Sequence, residues 1–106
     1  MKFLNPPAVI GFLLAGSAFN TVFAGDRELG QYLSAECVAC HQASGTAAGG
    51  VPSIVGWPES QFVAVMNAYK TRQRDNPVMQ AVAGRLAADD IAALATYFGG
   101  LSPSTK

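Results

Sequence analysis

Both cysteines of this chain and its single histidine fall within five residues, Cys37-Val38-Ala39-Cys40-His41. Two thiols at that spacing beside an imidazole can do a limited number of things. They can add across the two vinyl groups of a haem while the imidazole reaches the iron, the C-x-x-C-H attachment pattern. They can contribute to a structural zinc site, but such a site wants four N or S ligands, and this chain holds three in all. A dithiol redox pair is expected beside a βαβ pattern, and none is legible here. A disulfide between cysteines so close together would close a small loop and gain little from chain entropy. Covalent haem attachment is the chemistry that uses all three residues.

A haem needs an environment and, on the iron's far side, a second ligand. With no second histidine, a bis-histidine site within one chain is excluded. Methionine is the remaining strong candidate, since a thioether favours reduced iron and raises its potential. Beyond the start methionine the chain offers Met66 and Met79. Met66 shares a helical stripe with Phe62 and Tyr69, where methionine usually fills gaps in a core. Met79 follows Asn76-Pro77-Val78 in a break between helical patterns, far enough beyond His41 for the chain to reach the haem's other face. Met79 is therefore the stronger candidate and Met66 the rival.

Residues 1–24 read as a secretory signal. Lys2 supplies the charged start, Ala8 to Phe19 the apolar run, and Val22-Phe23-Ala24 the small-residue positions for cleavage before Gly25. The run is shorter than the ~20 residues that span a bilayer. The expected mature form is thus residues 25–106, a single domain with no membrane span, located in the periplasm. In bacteria c-type haem attachment takes place outside the cytoplasm, so the leader and the cysteine motif agree.

A domain of that length is marginal if it relies on its own apolar core, and a bound macrocycle would complete it. Seven basic residues balance seven acidic ones; loss of Lys2 with the leader leaves a net charge of −1. That balance gives no footprint for nucleic acid or a membrane surface.

The apolar spacing predicts helices and no strands. The first runs from Asp26, a capping residue, to Ala39 and so ends in the cysteine motif. Gly30 inside it is a poor helix former and suits close approach of another helix. Glycines and Pro52 mark residues 44–56 as a loop. A second helix begins at Pro58, suited to the first helical position, and carries Phe62, Val65, Met66 and Tyr69 on one stripe. Lys70, Arg72 and Arg74 close it with favourable charge. A short turn of helix from Val78 to Ala83 is expected after Pro77. The last helix spans Ala88 to Phe98, with Ile91, Leu94, Ala95 and Phe98 as its apolar face and Gly99-Gly100 at its end.

With these elements in place the chain resembles the class I cytochromes c, in the bacterial periplasmic group of single-haem c4-like and c553-like domains. The likeness covers nearly all of Asp26 to Leu101. It is carried by the helix ending in Cys37-Val38-Ala39-Cys40-His41, the Pro52-Ser53-Ile54-Val55-Gly56 loop, the Asn76-Pro77-Val78-Met79 segment and the closing helix from Leu86 to Phe98. The resemblance implies an all-α fold with helices packed around one covalently bound haem c. Cys37 and Cys40 would form the thioethers, with His41 and Met79 as axial ligands. The Pro52 carbonyl would accept a hydrogen bond from the other ring nitrogen of His41. Gly30 and Leu33 would meet Leu94 and Tyr97 where the first and last helices cross. Two features depart from the family: Ala87 stands where Ser or Thr commonly caps the last helix, and Leu33, with Tyr32 beside it, stands where an aromatic is common.

The function so implied is one-electron transfer in the periplasm to or from redox protein partners. With both axial positions filled by the protein, no coordination site is left open for a substrate. No catalytic constellation is legible elsewhere in the chain. The order of the Pro-Ser-Ile-Val-Gly loop, Ala68-Tyr69-Lys70 and Asn-Pro-Val-Met also resembles the small haem subunit of flavocytochrome c sulfide dehydrogenases, in which a flavoprotein would pass electrons to this chain. An exposed apolar patch around Trp57 and Val51 would favour that subunit role, and Arg72 and Arg74 would suit an acidic partner.

Overall fold

The computed structural model describes residues 25–42 and 49–103, together with Gly11. The signal-peptide reading of residues 1–24 and part of the expected loop fall outside them. Four helices occupy the described chain: α1 (Arg27–Val38), α2 (Glu59–Lys70), α3 (Pro77–Gly84) and α4 (Ala88–Gly99). There is no strand among the described residues, and no described helix is long and apolar enough to cross a membrane.

Local chemistry explains each start. Asp26 caps α1, its Oδ1 accepting from the backbone N–H of Glu28 at 3.0 Å and Leu29 at 3.2 Å. Asn76 does the same for α3, accepting from Val78 and Met79 at 3.1 Å each, with Pro77 at the first helical position. The Asn76-Pro77 pair is thus a helix start, and the short helix expected from Val78 to Ala83 is α3, with Met79 in its first turn. Pro58 stands one residue earlier than expected, as the cap of α2 without a side-chain bond. Ala87 lacks a capping oxygen, but the Asp90 carboxylate accepts from the Ala87 N–H at 2.9 Å, so half of a capping box survives.

The expected basic close of α2 is also corrected. Only Lys70 lies in the helix. Arg72 adopts a left-handed backbone with φ 63°, a conformation that L side chains disfavour and that ends the helix. Arg74 doubles back so that its guanidinium lies 5.1 Å from the centre of the Tyr69 ring, a cation–π contact. The Lys70 ammonium donates to the Leu86 carbonyl, linking the end of α2 to the connection between α3 and α4.

The core sits where α4 meets α1 and α2. Ile91, Leu94, Ala95 and Phe98 of α4 are all buried, which is the apolar face predicted from spacing. Phe98 stacks on Phe62 with ring centres 6.0 Å apart and meets Tyr97 edge-on at 5.2 Å. Met66, Ala83, Ile54 and Val55 complete the buried cluster. The Gly56 N–H donates to the Phe98 carbonyl at 2.9 Å, and its φ of 75° lets the chain turn there from the loop toward α2.

α1 and α4 cross with their backbones close together. α1 offers α4 the small buried residues Gly30 and Ser34. A Cβ added at Gly30 would run into the Ala93 carbonyl oxygen and lie 2.7 Å from Tyr97 Cβ. The partners of Gly30 are therefore Ala93 and Tyr97, whereas Leu94 turns into the core. A Cβ at Gly25 would likewise meet the Ala92 carbonyl. At both positions the obstacle is backbone, which cannot rotate away as a side chain can. Gly30→Ala should therefore destabilise the protein by about 1–3 kcal/mol as overpacking, although helix propensity alone favours alanine by about 1 kcal/mol. Denaturant unfolding reads the sign directly.

Candidate haem site

The cysteine motif forms a tight turn at the end of α1. The N–H groups of Cys40 and His41 both donate to the Cys37 carbonyl, at 3.2 and 2.7 Å, so three sequence neighbours gather at one helix end. Cys37 and His41 are half-buried and Cys40 is exposed. No disulfide joins the two cysteines.

His41 is held by its Nδ1, which lies 2.7 Å from the Pro52 carbonyl oxygen. A carbonyl can only accept, so Nδ1 carries a proton, and in the neutral ring the lone pair then lies on Nε2. That is the state a metal-ligating imidazole requires, with the second ring nitrogen fixing tautomer and ring orientation. Pro52 presents this carbonyl from the loop that also sends Ile54 and Val55 into the core. The ring is thereby tied to the packed interior from outside α1.

Next to His41 lies a cleft that opens to solvent. Cys37, Cys40, His41 and Pro52 contribute one part of its lining, Phe62, Val65 and Met66 of α2 another, and Val78, Met79 and Val82 of α3 a third. Ile54, Trp57 and the Glu36 side chain complete it. A largely apolar cleft with two thiols and one oriented imidazole at its edge fits a flat apolar macrocycle bearing a metal at its centre. These residues fit a haem.

The Cys37 thiol is pushed up to about 11, first by burial and then by the nearby Glu36 carboxylate. Redox C-x-x-C pairs show the opposite displacement, because their chemistry needs a thiolate. Among the described residues there is also no group of three or more His, Cys, Asp or Glu placed to hold one metal ion.

Both methionines reach the cleft. Met66 is 5% exposed and packed in the core cluster, while Met79 is half-buried and rests against that cluster from α3. Sequence periodicity had found the α2 stripe, but not that Phe62 and Met66 face core and cleft together. Val65, Val82 and Ile54 escaped notice as lining residues because nothing in an aliphatic side chain signals a ligand. Trp57 and Val51 are both half-buried, and Trp57 lines the cleft. The large hydrophobics that do stand out are Tyr32, 80% exposed, and Val78, 65% exposed. Arg72 and Arg74 are exposed, and Arg85 pairs with Glu36 at 3.4 Å, an exposed ion pair that contributes little to stability.

No family model matches the chain. Two characterised proteins do resemble it. A thiosulfate dehydrogenase electron acceptor of Thiomonas intermedia is 39% identical over 75 residues, which make up 69% of this chain and 35% of that protein. A cytochrome subunit of sulfide dehydrogenase from Chlorobaculum tepidum is 32% identical over 73 residues, 69% of this chain and 66% of that protein. The chain thus spans about a third of the first relative and just under two thirds of the second. With its all-helical fold, the chain belongs to the small cytochromes c, proteins that carry haem.

Phe62 joins core and cleft, being 4% exposed, stacked on Phe98 and part of the cleft lining. Phe62→Ala should cost about 3–5 kcal/mol in denaturant unfolding of the haem-loaded protein and broaden its haem absorption bands. Phe62→Leu, which keeps most of the volume, should cost clearly less.

Proposed function

We propose that this chain is a periplasmic one-electron carrier holding a single c-type haem through thioethers at Cys37 and Cys40, with His41 and Met79 as axial ligands. The observation that carries the reading is the His41 Nδ1 bond to the Pro52 carbonyl at the edge of an apolar cleft that both cysteines also line. The haem supplies the redox chemistry, an iron that accepts and gives up one electron. The protein's part is to hold still around it. Pro52 orients the His41 ring. Two covalent links at the end of α1 would keep the macrocycle from leaving, and the aliphatic lining excludes water from its faces. A thioether ligand from Met79 would stabilise the reduced state. With His41 and Met79 holding the iron in a packed setting, little would have to rearrange when the charge changes.

A specific observation also supports a second setting. The likeness to a cytochrome subunit of sulfide dehydrogenase suits a stable complex in which this chain receives electrons from a flavoprotein that oxidises sulfide. Size-exclusion chromatography of the native protein separates the two readings, because a free carrier elutes at the size of this small domain and a subunit elutes with its partner.

Covalent attachment predicts that haem stays with the protein through acid–acetone extraction and denaturing electrophoresis. The double variant Cys37→Ala/Cys40→Ala should release it, and loss from the unaltered protein would remove the covalent reading. For the sixth ligand, Met79→Ala should abolish the weak long-wavelength absorption of ferric iron bound to a thioether, lower the reduction potential and admit carbon monoxide to the reduced iron. Met66→Leu conserves volume and usually costs under about 1.5 kcal/mol; all three properties should persist in it. The reverse pattern would assign the ligand to α2.

A further inference from the structure

α3 is the least supported helix of the domain. It has eight residues, too few for a helix to be stable on its own. Among the described helices it packs on α2 alone, whereas α4 packs on both α1 and α2. Yet α3 carries Met79, in its first turn, where helices fray. Some feature must hold that turn closed.

We infer that Asn76 is a positioning residue for Met79. Its side-chain Oδ1 accepts from the Met79 N–H itself, at 3.1 Å, and from the Val78 N–H at the same distance. The backbone nitrogen one bond from the Met79 Cα is therefore tied to a fixed acceptor. Pro77 has no N–H to satisfy and a ring-fixed φ, so the first turn keeps no loose donor before Met79. The cap is itself anchored. Gln80 Nε2 donates to the Arg74 carbonyl at 2.9 Å, and the N–H groups of Gln73 and Arg74 both bond the Ala68 carbonyl of α2, at 2.8 and 3.1 Å. The Arg74 guanidinium lies over Tyr69, which packs on the core. A chain of contacts thus runs from the core through Tyr69, Arg74 and Gln80 to the turn that Asn76 closes. Without the Asn76 oxygen, the Met79 N–H would turn to water, the first turn would fray, and Met79 would leave its place in the cleft more readily. The inference rests on Met79 being the iron's sixth ligand.

The chain supplies its own control. Asp26 caps α1 with the same two-bond geometry, at the opposite end of that helix from the cysteine turn. Titrating haem-loaded ferric protein with imidazole, a neutral ligand that competes for the iron, reads how readily the native sixth ligand yields. Asn76→Ala should lower the imidazole concentration needed to displace the long-wavelength absorption by about five-fold, the equilibrium weight of one lost cap. Asn76→Asp, which restores a capping oxygen, should return it to near the wild-type value. Asp26→Ala should lose comparable resistance to denaturant and leave the imidazole titration unmoved. An unchanged titration in Asn76→Ala, or an equal shift in Asp26→Ala, would overturn the inference, since the cap would then act through general stability or not at all. If the alanine variant fails to load haem, Asn76→Gln, whose oxygen is carried one methylene too far to cap, is compared with Asn76→Ser. A shift confined to the Gln variant supports positioning, and equal behaviour of the two overturns it. Met79→Ala in the same series separates the two levels: if it retains the absorption, the ligand assignment has failed, whatever Asn76 does.

Discussion

The architecture depends on two backbones coming closer than side chains normally allow. At Gly30 the backbone of α1 rests against the Ala93 carbonyl of α4, and Gly25 repeats the contact at Ala92. A helix fastened at such points has little freedom to slide or rotate. Its far end, which carries Cys37, Cys40 and His41, is therefore placed by a contact two to three turns away. α4 in turn is fixed by Phe98, fully buried and stacked on Phe62 of α2. Through these two contacts the reactive end of α1 and the wall formed by α2 share one frame. That sharing matters for a site assembled from both.

The packed cluster does not fill the space between these elements. Three helices and a loop leave an apolar cleft beside the cysteine turn, lined by residues such as Ile54, Phe62 and Met66 that belong to the core as well. An apolar surface of this kind is costly to leave wet. In a domain of this size it is also a large share of what hydrophobic burial can supply. Site and core are thus one continuous structure here. A change such as Phe62→Ala weakens both, and folding and cofactor retention are coupled by construction.

Polar contacts take over where apolar packing runs out. His41 is oriented by a hydrogen bond to a loop carbonyl, and the first turn of α3 is closed by Asn76 and tied to the connection before it by Gln80. The left-handed backbone at Arg72 belongs to the same connection. Strain of that kind persists only where surrounding contacts over-determine it, and the Thr71 and Gln80 hydrogen bonds on either side do so.

The cysteine motif was legible in the sequence because its chemistry is local: Cys37, Cys40 and His41 are neighbours, and five residues suffice to state what they can do. The helices were legible for the same reason. Periodicity found the face of α4 residue by residue, and Asp26, Pro77 and the glycines marked ends to within a residue or two. What local pattern misjudged was meaning that depends on a partner. Asn76-Pro77 looks like a break until its side chain is seen to cap the helix that follows. Aliphatic residues such as Val65 and Val82 announce nothing, since only their convergence makes them a lining. The sequence by itself determined which groups can react and which segments coil. Tertiary structure alone decided which nitrogen of His41 is free, because the Pro52 carbonyl that claims the other one arrives from eleven residues away along the chain.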